Sequence, residues 1–321
     1  MTFHQPDKRR NHTVAERAVC ATMLTFCLAM AACTGKPPQT VFEPVAASIR
    51  STPLWIDTDM VSRSNQTADI DDVLAVRMIL NARLAVEGLS TASGNASAAA
   101  TWESARREFR DLPLHRGRPG TSCRNPAVAG LLKALRQGSL TVLALGSLTN
   151  IAQAIRCDRN AASRIDRVVA VAGRRPGEAF RLGEGLWDRE LRDLNYETDR
   201  DAFRTVLESG VPLHLVPFAA GNQIRLDFAD LRTLPDRLRD RAWSWMLILW
   251  FVGGGATLPA FDQAAASYLI WPHLFRCSDV SIEAGDDLLL HESMGHRDST
   301  SKVCMPRRAS RLKRVLLRLH R

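Results

Sequence analysis

Four aspartates near the start of the sequence could do chemistry together: Asp57 with Asp59, and Asp71 with Asp72. If all four carboxylates were ionised in one cleft, they would repel one another strongly. A hard divalent cation removes that conflict, because calcium and magnesium prefer carboxylate and carbonyl oxygens, whereas zinc prefers nitrogen and sulfur. Such a cation also lowers the pKa of a bound water, and a nearby aspartate can take the water's proton. The acids predict a metal-assisted hydrolytic site, although two helix N-terminal acids and a loop cap would also explain them.

Strands and helices alternate around these acids. The apolar run at 54–56 predicts a buried strand, and apolar residues at helical spacing predict a helix over 69–84. Further strands are predicted at 84–89, 141–145, 168–171 and 213–216, and a further helix at 199–209. This alternation predicts an α/β fold with an open, mostly parallel sheet and helices on both faces.

Polar residues follow three of the predicted strands. Asp57 and Asp59 follow the first, Asn95 follows the second, and Ser147, Thr149 and Asn150 follow the third. The carboxyl ends of parallel strands meet in one crevice, where ligands bind. We therefore expect these residues, although distant in sequence, to face a common volume.

A series of short motifs extends this pattern along the chain. They are, in order, Asp57-Thr58-Asp59, Asp71-Asp72-Val73-Leu74-Ala75, Ser93-Gly94-Asn95, Leu145-Gly146-Ser147-Leu148-Thr149-Asn150, Asp193-Leu194-Asn195 and Phe261-Asp262-Gln263-Ala264-Ala265-Ala266. In type and order they resemble the inosine-uridine nucleoside hydrolases, over residues 54–275. The resemblance implies a calcium-dependent enzyme that hydrolyses the N-glycosidic bond of ribonucleosides, with an open α/β fold and, in many members, a homo-oligomeric assembly.

The resemblance also implies a role for each motif residue. Asp59 would ligate Ca²⁺ and act as the general base toward the attacking water. The other calcium ligands would be Asp72, Asp262 and the backbone carbonyl of Thr149. The ribose hydroxyls would be held by Asp71, Asn95, Asp193 and Asn195. Carboxylates in these places would stabilise the positive charge that develops on the sugar in the transition state.

The sequence departs from the family pattern at several points. Residues 60–68 are inserted between the two acid pairs, and must loop out if Asp71 and Asp72 are to return to the metal. Phe261 stands where the family has a histidine associated with the leaving base, so we expect reduced activity. Phe261 could either pack in the pocket wall or stack on the nucleobase. Asp193 replaces a longer glutamate.

Two other functions fit part of the pattern. A phosphohydrolase of the haloacid-dehalogenase type would use Asp57 as nucleophile with magnesium, and Asp286 and Asp287 as its final acid pair. However, no lysine occurs between Lys133 and Lys302, where that chemistry expects one. The other alternative is a lipoprotein of the same fold that binds calcium and a nucleoside without turnover.

The N-terminus is typical of an export signal. Basic residues precede an apolar run at 18–32, which is too short to span a bilayer and ends at Cys33. The small residues before Cys33 resemble a bacterial lipobox, which implies cleavage and lipid attachment at that cysteine. We therefore predict a signal peptide at 1–32, a tether at 33–52, and a lipid-anchored protein on the extracytoplasmic side of a bacterial cell envelope.

Export changes the interpretation of the cysteines. Cys123, Cys157, Cys277 and Cys304 remain after the signal peptide, and an even number outside the cytoplasm permits two disulfides. Of the three possible pairing schemes we prefer one that joins Cys277 to Cys304, because this bond would hold the C-terminal segment. Four buried thiols are the alternative.

The charge of the chain is concentrated at its end. The net charge is +9, but residues 302–321 hold eight Lys and Arg and no acid, and the body of the chain is close to neutral. We therefore expect no nucleic-acid partner. We place the nucleoside hydrolase-like domain at 53–300 and a basic tail at 301–321. An amphipathic helix at 309–320 could dock on the body or lie on anionic lipid.

Overall fold

The computed structural model describes residues 52–62, 70–120, 122–181, 190–236, 238–240, 242, 244, 257–292 and 300–319. All of them belong to the second of two compact units in the chain, Pro44–Arg321. The predicted signal peptide, Cys33 and almost all of the tether lie outside the described residues. They stay predictions, and fatty-acid labelling of the wild-type and Cys33→Ser chains would test the lipidation.

Strands and helices alternate along the described chain. The larger elements of the first half are β1 (Leu54–Thr58), α1 (Asp71–Asn81), β2 (Val86–Thr91), α2 (Ala98–Glu108), β3 (Leu114–His115), α3 (Pro126–Gln137), β4 (Leu140–Ala144), α4 (Thr149–Cys157), α5 (Arg159–Ala162) and β5 (Ile165–Ala170). The second half contains α6 (Leu194–Glu197), α7 (Arg200–Glu208), β6 (Leu213–Leu215), α8 (Phe218–Asn222), β7 (Arg225–Leu226), α9 (Phe228–Leu231), β8 (Leu258–Pro259), α10 (Phe261–Ile270), a 3₁₀ turn (Pro272–Leu274), β9 (Phe275–Ala284), β10 (Leu288–Glu292), β11 (Ser301–Pro306) and α11 (Ala309–Leu319).

The strands form one large, mostly parallel sheet. Its nine described strands lie in the order β10-β9-β11-β6-β5-β4-β1-β2-β3. All neighbouring strands from β11 to β3 are parallel, and only the pairs β11–β9 and β9–β10 are antiparallel. Strands β7 and β8 form a separate antiparallel pair. The predicted open, mostly parallel α/β fold is confirmed.

Helices cover both faces of this sheet. Successive residues of a strand point to opposite faces, and on β1 the neighbours Trp55 and Ile56 pack into different hydrophobic clusters. The cluster around Ile56 includes buried residues of α1, α10 and α11, and the cluster around Trp55 includes those of α3, α4 and α7. The strands carry apolar side chains on both faces of the sheet, because helices cover both faces.

The C-terminal segment differs from the predicted tail. Strand β11 lies inside the sheet between β6 and β9, so the domain continues beyond the predicted boundary at residue 300. On α11, the four apolar residues Leu312, Val315, Leu316 and Leu319 are buried. The helix therefore docks on the body, which was one of the two predicted placements, and this face is not available to insert into lipid. The strand was not predicted because the basic residues on both sides of Val303 and Cys304 dominate the composition of this segment.

Two disulfides join elements that are distant in sequence. Cys277 on β9 is bonded to Cys304, its register partner on β11. Cys123, just before α3, is bonded to Cys157 at the end of α4. The first bond is the pairing that we preferred, and it holds the C-terminal strand to its neighbour.

Within the part of the chain that the structure describes, no helix combines the length and the apolarity that a bilayer-spanning segment needs.

Candidate active site

The order of the strands reverses beside β1. The chain proceeds from β1 to β2 and β3 on one side, and then returns to place β4, β5 and β6 on the other side. In open parallel sheets, ligands bind at such a switch point, outside the carboxyl ends of the strands. The segments that follow β1, β2, β4, β5 and β6 all lead to this edge of the sheet, which therefore is where a site is expected.

A cavity of about 520 Å³ lies at this edge. Its walls come from the loops after β2, β4 and β5, from α8, and from the first turns of α1, α6 and α10. The lining residues include Asp71, Gly94, Asn95, Leu145, Val171, Phe180, Leu194, Asn195, Phe218, Phe261 and Asp262. A pocket of this size and partly apolar lining suits a small organic ligand. Five residues predicted from the sequence (Asp71, Asn95, Asn195, Phe261 and Asp262) thus face one volume.

Three carboxylates meet beside this cavity, and two of them, those of Asp71 and Asp262, are among its lining residues. Asp71, Asp72 and Asp262 each offer an oxygen within 4.8 Å of the others, and all three residues are buried. The first two lie in the first turn of α1, and the third lies in the first turn of α10. We call these residues the acidic triad.

Two helix N-termini partly offset this charge. Neither α1 nor α10 has a side-chain cap, because Ile70 and Ala260 stand at the N-cap positions. Each helix N-terminus carries about half a positive charge, so roughly two negative charges of the ionised triad would remain uncompensated. That remainder matches one divalent cation. Oxygen ligands on separate helices, without sulfur or imidazole, fit a hard cation such as Ca²⁺ or Mg²⁺.

Asp59 is not part of the acidic triad, and its predicted roles as metal ligand and general base stay predictions. Its carboxylate accepts hydrogen bonds from the backbone N–H of Asn95 at 2.8 Å and from Nδ2 of Asn95 at 3.4 Å. The residue is 1% exposed. A Cβ at Gly94 would overlap its carboxylate, and a Cβ at Gly146 would lie 2.9 Å from its Cγ. The loops after β2 and β4 therefore enclose Asp59, which is not among the described residues that line the cavity.

Thr149 begins α4 and is not among the described lining residues of the cavity. Its hydroxyl donates to Oδ2 of Asp199 at 2.8 Å, and Asp199 in turn caps α7. Thr149 therefore ties the loop after β4 to a neighbouring helix. Its predicted carbonyl contact to a cation stays a prediction.

Asn95 and Asn195 both line the cavity, as their predicted ribose contacts require. The Nδ2 group of Asn195 donates to the carbonyl of Leu145 at 3.2 Å and to that of Val171 at 2.8 Å. These bonds join the ends of two strands and leave Oδ1 as the polar atom of this side chain that can accept from a ligand. Asn195 thus stabilises the crevice as well as lining it.

Asp193 is held by backbone N–H groups, and its predicted contact to the ribose stays a prediction. Its Oδ2 accepts from the backbone N–H of Gly173 at 2.7 Å, and its Oδ1 accepts from that of Tyr196 at 3.1 Å, which caps α6. It is not among the described residues that line the cavity. The shorter aspartate is held by the backbone, whereas its neighbour Asn195 reaches the site.

Burial raises the pKa of Asp193 from 3.8 to about 7, although the N–H bonds from Gly173 and Tyr196 lower it. Between pH 3.8 and about 7, the folded chain keeps this proton, whereas the unfolded chain has lost it. The contribution of Asp193 to the free energy of unfolding therefore falls as the pH rises toward 7. We expect Asp193→Asn, which cannot titrate, to lose most stability relative to wild type near pH 4 and least near pH 8. Urea unfolding across this range would measure it, and a pH-independent difference would contradict it.

Three phenylalanines form one wall of the cavity. Phe180 stacks on Phe218 with ring centroids 4.0 Å apart, and Phe261 meets both rings edge-on, at 5.2 and 5.4 Å. Phe261 was predicted from its motif. Phe218 lies three residues after the end of β6, so its place behind the carboxyl end of a parallel strand could have identified it. Phe180 lies in a loop, and no motif in the sequence indicates it. An aromatic wall beside a triad of acids can hold a flat ring next to a sugar.

The residues of the phosphohydrolase alternative do not form a site. Asp57 is 1% exposed and its Oδ1 accepts from Oγ of Ser90 and from Nδ2 of Asn150. Burial raises the pKa of Asp57 to about 6. Asp286 and Asp287 instead pair with Arg200 and Arg174 near the surface. Asp57 thus accepts from two neighbouring side chains, and none of these three acids is among the described residues that line the cavity.

A comparison with family models decides the family. The model of the inosine-uridine preferring nucleoside hydrolases matches residues 54–311, which is most of the chain. The chain belongs to this family. The predicted resemblance is confirmed at that level, and nucleoside hydrolysis is the activity that the family indicates.

Solved nucleoside hydrolases share the fold of this family member. A plant nucleoside hydrolase superposes with a TM-score of 0.66 at 18% identity, covering 84% of this chain and 98% of that chain. The purine-preferring ribonucleoside hydrolase from Gardnerella vaginalis gives a TM-score of 0.68 at 15% identity, with the same shares covered. At these identities the likeness shows the fold alone.

One sequence relative, an uncharacterized protein of Schizosaccharomyces pombe, is 25% identical over 183 residues. The match covers 52% of this chain and 56% of that protein, so it spans only about half the length of the relative.

Proposed function

We propose that this nucleoside hydrolase family member binds Ca²⁺ at the acidic triad and hydrolyses the N-glycosidic bond of ribonucleosides. One observation carries the proposal: Asp71 and Asp262, two members of the acidic triad, line the same cavity as Asn95, Asn195 and Phe261. Acids, amides and an aromatic wall are what a cation, a ribose and a flat base require. Family membership supports the reaction type.

The chain's own residues would divide the work as follows. Asp71, Asp72 and Asp262 would hold the cation, which supplies a bound water of lowered pKa. Asn95 and Asn195 would bind the ribose hydroxyls, since both line the cavity. Buried polar groups that a hydroxyl must satisfy reject analogues that lack it, so we infer that ribose is preferred to deoxyribose.

The proton of the water would go to Asp59. Its carboxylate is within hydrogen-bond distance of Asn95, a residue of the cavity wall. To act as the base, Asp59 would exchange its long bond from Nδ2 of Asn95 for one from water. Phe261 cannot protonate a leaving base, so we infer that the base departs with less assistance than a histidine would give.

A second function, cation-dependent nucleoside binding without turnover, is favoured by the place of Asp59. Its carboxylate is enclosed by two glycine loops and lies outside the acidic triad. If that arrangement persists with ligand bound, the chain holds a nucleoside but has no base for the water.

One experiment separates the two functions. The full chain is incubated with inosine, adenosine, guanosine, uridine, cytidine and their 2′-deoxy analogues, with added calcium or with a chelator, and released reducing sugar is measured. The enzyme predicts ribose release that the chelator abolishes and calcium restores. The binding protein predicts calcium-dependent nucleoside binding by calorimetry and no release.

Asp59→Asn is the matched variant, since it keeps the size of the side chain. For an enzyme it should lower the rate by about 10²–10⁴-fold, the usual contribution of a general base, and leave nucleoside binding intact. A wild-type chain that neither binds nor cleaves any nucleoside of the panel would refute both functions.

A further inference from the structure

Thr58, the last residue of β1, connects the central sheet to the acidic triad. Its side chain is fully buried, and its Oγ1 donates a hydrogen bond to Oδ1 of Asp72. The two residues are 14 positions apart, on either side of the 60–68 insertion. This bond therefore reaches the first turn of α1 without passing along the inserted segment.

The direction of this hydrogen bond follows from the chemistry of its two partners. An ionised carboxylate can only accept, whereas a hydroxyl has one proton to donate and two lone pairs that accept. The hydroxyl proton of Thr58 is therefore directed to the Asp72 carboxylate. The backbone N–H of Met60 donates to the same Oγ1 at 3.2 Å, so the hydroxyl is held from both sides.

Thr58 stands on a rigid support. Strand β1 is paired with β2 on one side and with β4 on the other. Thr58 is in register with Thr91 of β2, and its carbonyl accepts from the N–H of Ala92 at 2.9 Å. A group on a doubly paired central strand holds its position more accurately than one on a loop.

We propose that Thr58 is a positioning residue for the cation site, and that its hydroxyl orients the Asp72 carboxylate so that the three acids meet at one ion. This inference rests on the proposed cation binding at the acidic triad. Side chains that hydrogen-bond metal-ligating carboxylates orient them and tune the affinity of the site. In this chain the hydroxyl does so across an insertion that separates the two acid pairs.

The test compares Thr58→Val with Thr58→Ser in the full chain. Valine keeps the branched shape and removes the hydroxyl, whereas serine restores it. Calcium affinity is measured by calorimetry and terbium affinity by luminescence titration, so the readout does not depend on turnover. We expect Thr58→Val to weaken both affinities by about 10–100-fold, which is the usual effect of removing a residue that hydrogen-bonds a metal ligand. We expect Thr58→Ser to remain close to wild type.

Thr141→Val is the matched control. Thr141 is also a buried threonine on a central strand, and its hydroxyl lies 3.3 Å from Oδ2 of Asp166, an acid outside the triad. This variant should lose a buried hydroxyl without any change in cation affinity, and far-ultraviolet circular dichroism would check the fold of every variant.

The outcomes are distinct. Wild-type affinity in Thr58→Val, or a Thr58→Ser chain as weak as Thr58→Val, overturns the role of Thr58 and leaves the cation site standing. Failure of the wild-type chain to bind calcium or terbium overturns this inference together with the proposed cation site.

Discussion

Asp262→Asn should abolish calcium binding and lower nucleoside hydrolysis by about 100-fold or more, because it removes a carboxylate that directly faces the proposed ion. The same change should stabilise the cation-free protein. Asp262 meets Asp71 and Asp72 within 4.8 Å, and removal of one negative charge relieves their mutual repulsion. Calcium raises the stability of a chain that binds it in the folded state, so this increase should vanish in the variant.

Thermal unfolding with calcium and with chelator would measure both effects. Wild type should unfold at a higher temperature with calcium, and Asp262→Asn should unfold at one temperature in both conditions, above that of the chelated wild type. Asp279→Asn is the control, since Asp279 pairs with Lys302 on the sheet surface and lies outside the acidic triad. An Asp262→Asn chain that retains wild-type calcium affinity would exclude the acidic triad as the ion's site.

Cys277→Ser should lower the free energy of unfolding by about 3–4 kcal/mol. Its disulfide with Cys304 closes a loop of 27 residues, and a cross-link of that span restricts the unfolded chain by roughly this amount. The effect is large because the bond holds β11, a strand with partners on both sides, to β9. Urea unfolding of the oxidised protein would measure it.

The pair of single variants provides the control. If the two sulfurs are bonded, the double variant Cys277→Ser with Cys304→Ser should be little less stable than either single variant, since the first change already opens the loop. Cys123→Ser should act independently and add its own loss, because its disulfide joins α3 and α4 elsewhere in the fold. Additive losses from Cys277→Ser and Cys304→Ser would mean that they are not bonded to each other.

The fold was largely readable from the sequence. Apolar runs at 54–56, 141–145 and 213–216 correspond to β1, β4 and β6, because strands that are covered on both faces must be apolar on both. Six of the described strands, β3 and β7 to β11, were not predicted, and β11 is a strand inside the sheet. A strand in the middle of a sheet is set by its neighbours on both sides, and the short apolar stretch at Val303 and Cys304 did not indicate those neighbours.

The site was readable in part. Asp72 was predicted from the clustered acids and Asn95 from its place after a strand, whereas Asp262 and Asn195 were predicted from motifs that resemble the family. Asp59 and Asp193 are also acids in motifs that resemble the family, yet backbone N–H groups hold their carboxylates. The N–H of Asn95 donates to Asp59, and the N–H groups of Gly173 and Tyr196 donate to Asp193. Motif position predicted which loop each acid occupies, and did not predict its partner.

By itself, the sequence determined the order of elements, the acids and amides available at the strand ends, and the family to which the chain belongs. Only the tertiary structure decided which three acids share one space, which phenylalanines form the wall, and that Thr58 reaches Asp72 across the insertion. The physical reason is one of range. Hydrophobic periodicity and strand-end chemistry are local along the chain, whereas the direction of a buried carboxylate depends on whichever N–H or O–H group the packing of distant segments brings within about 3 Å of it.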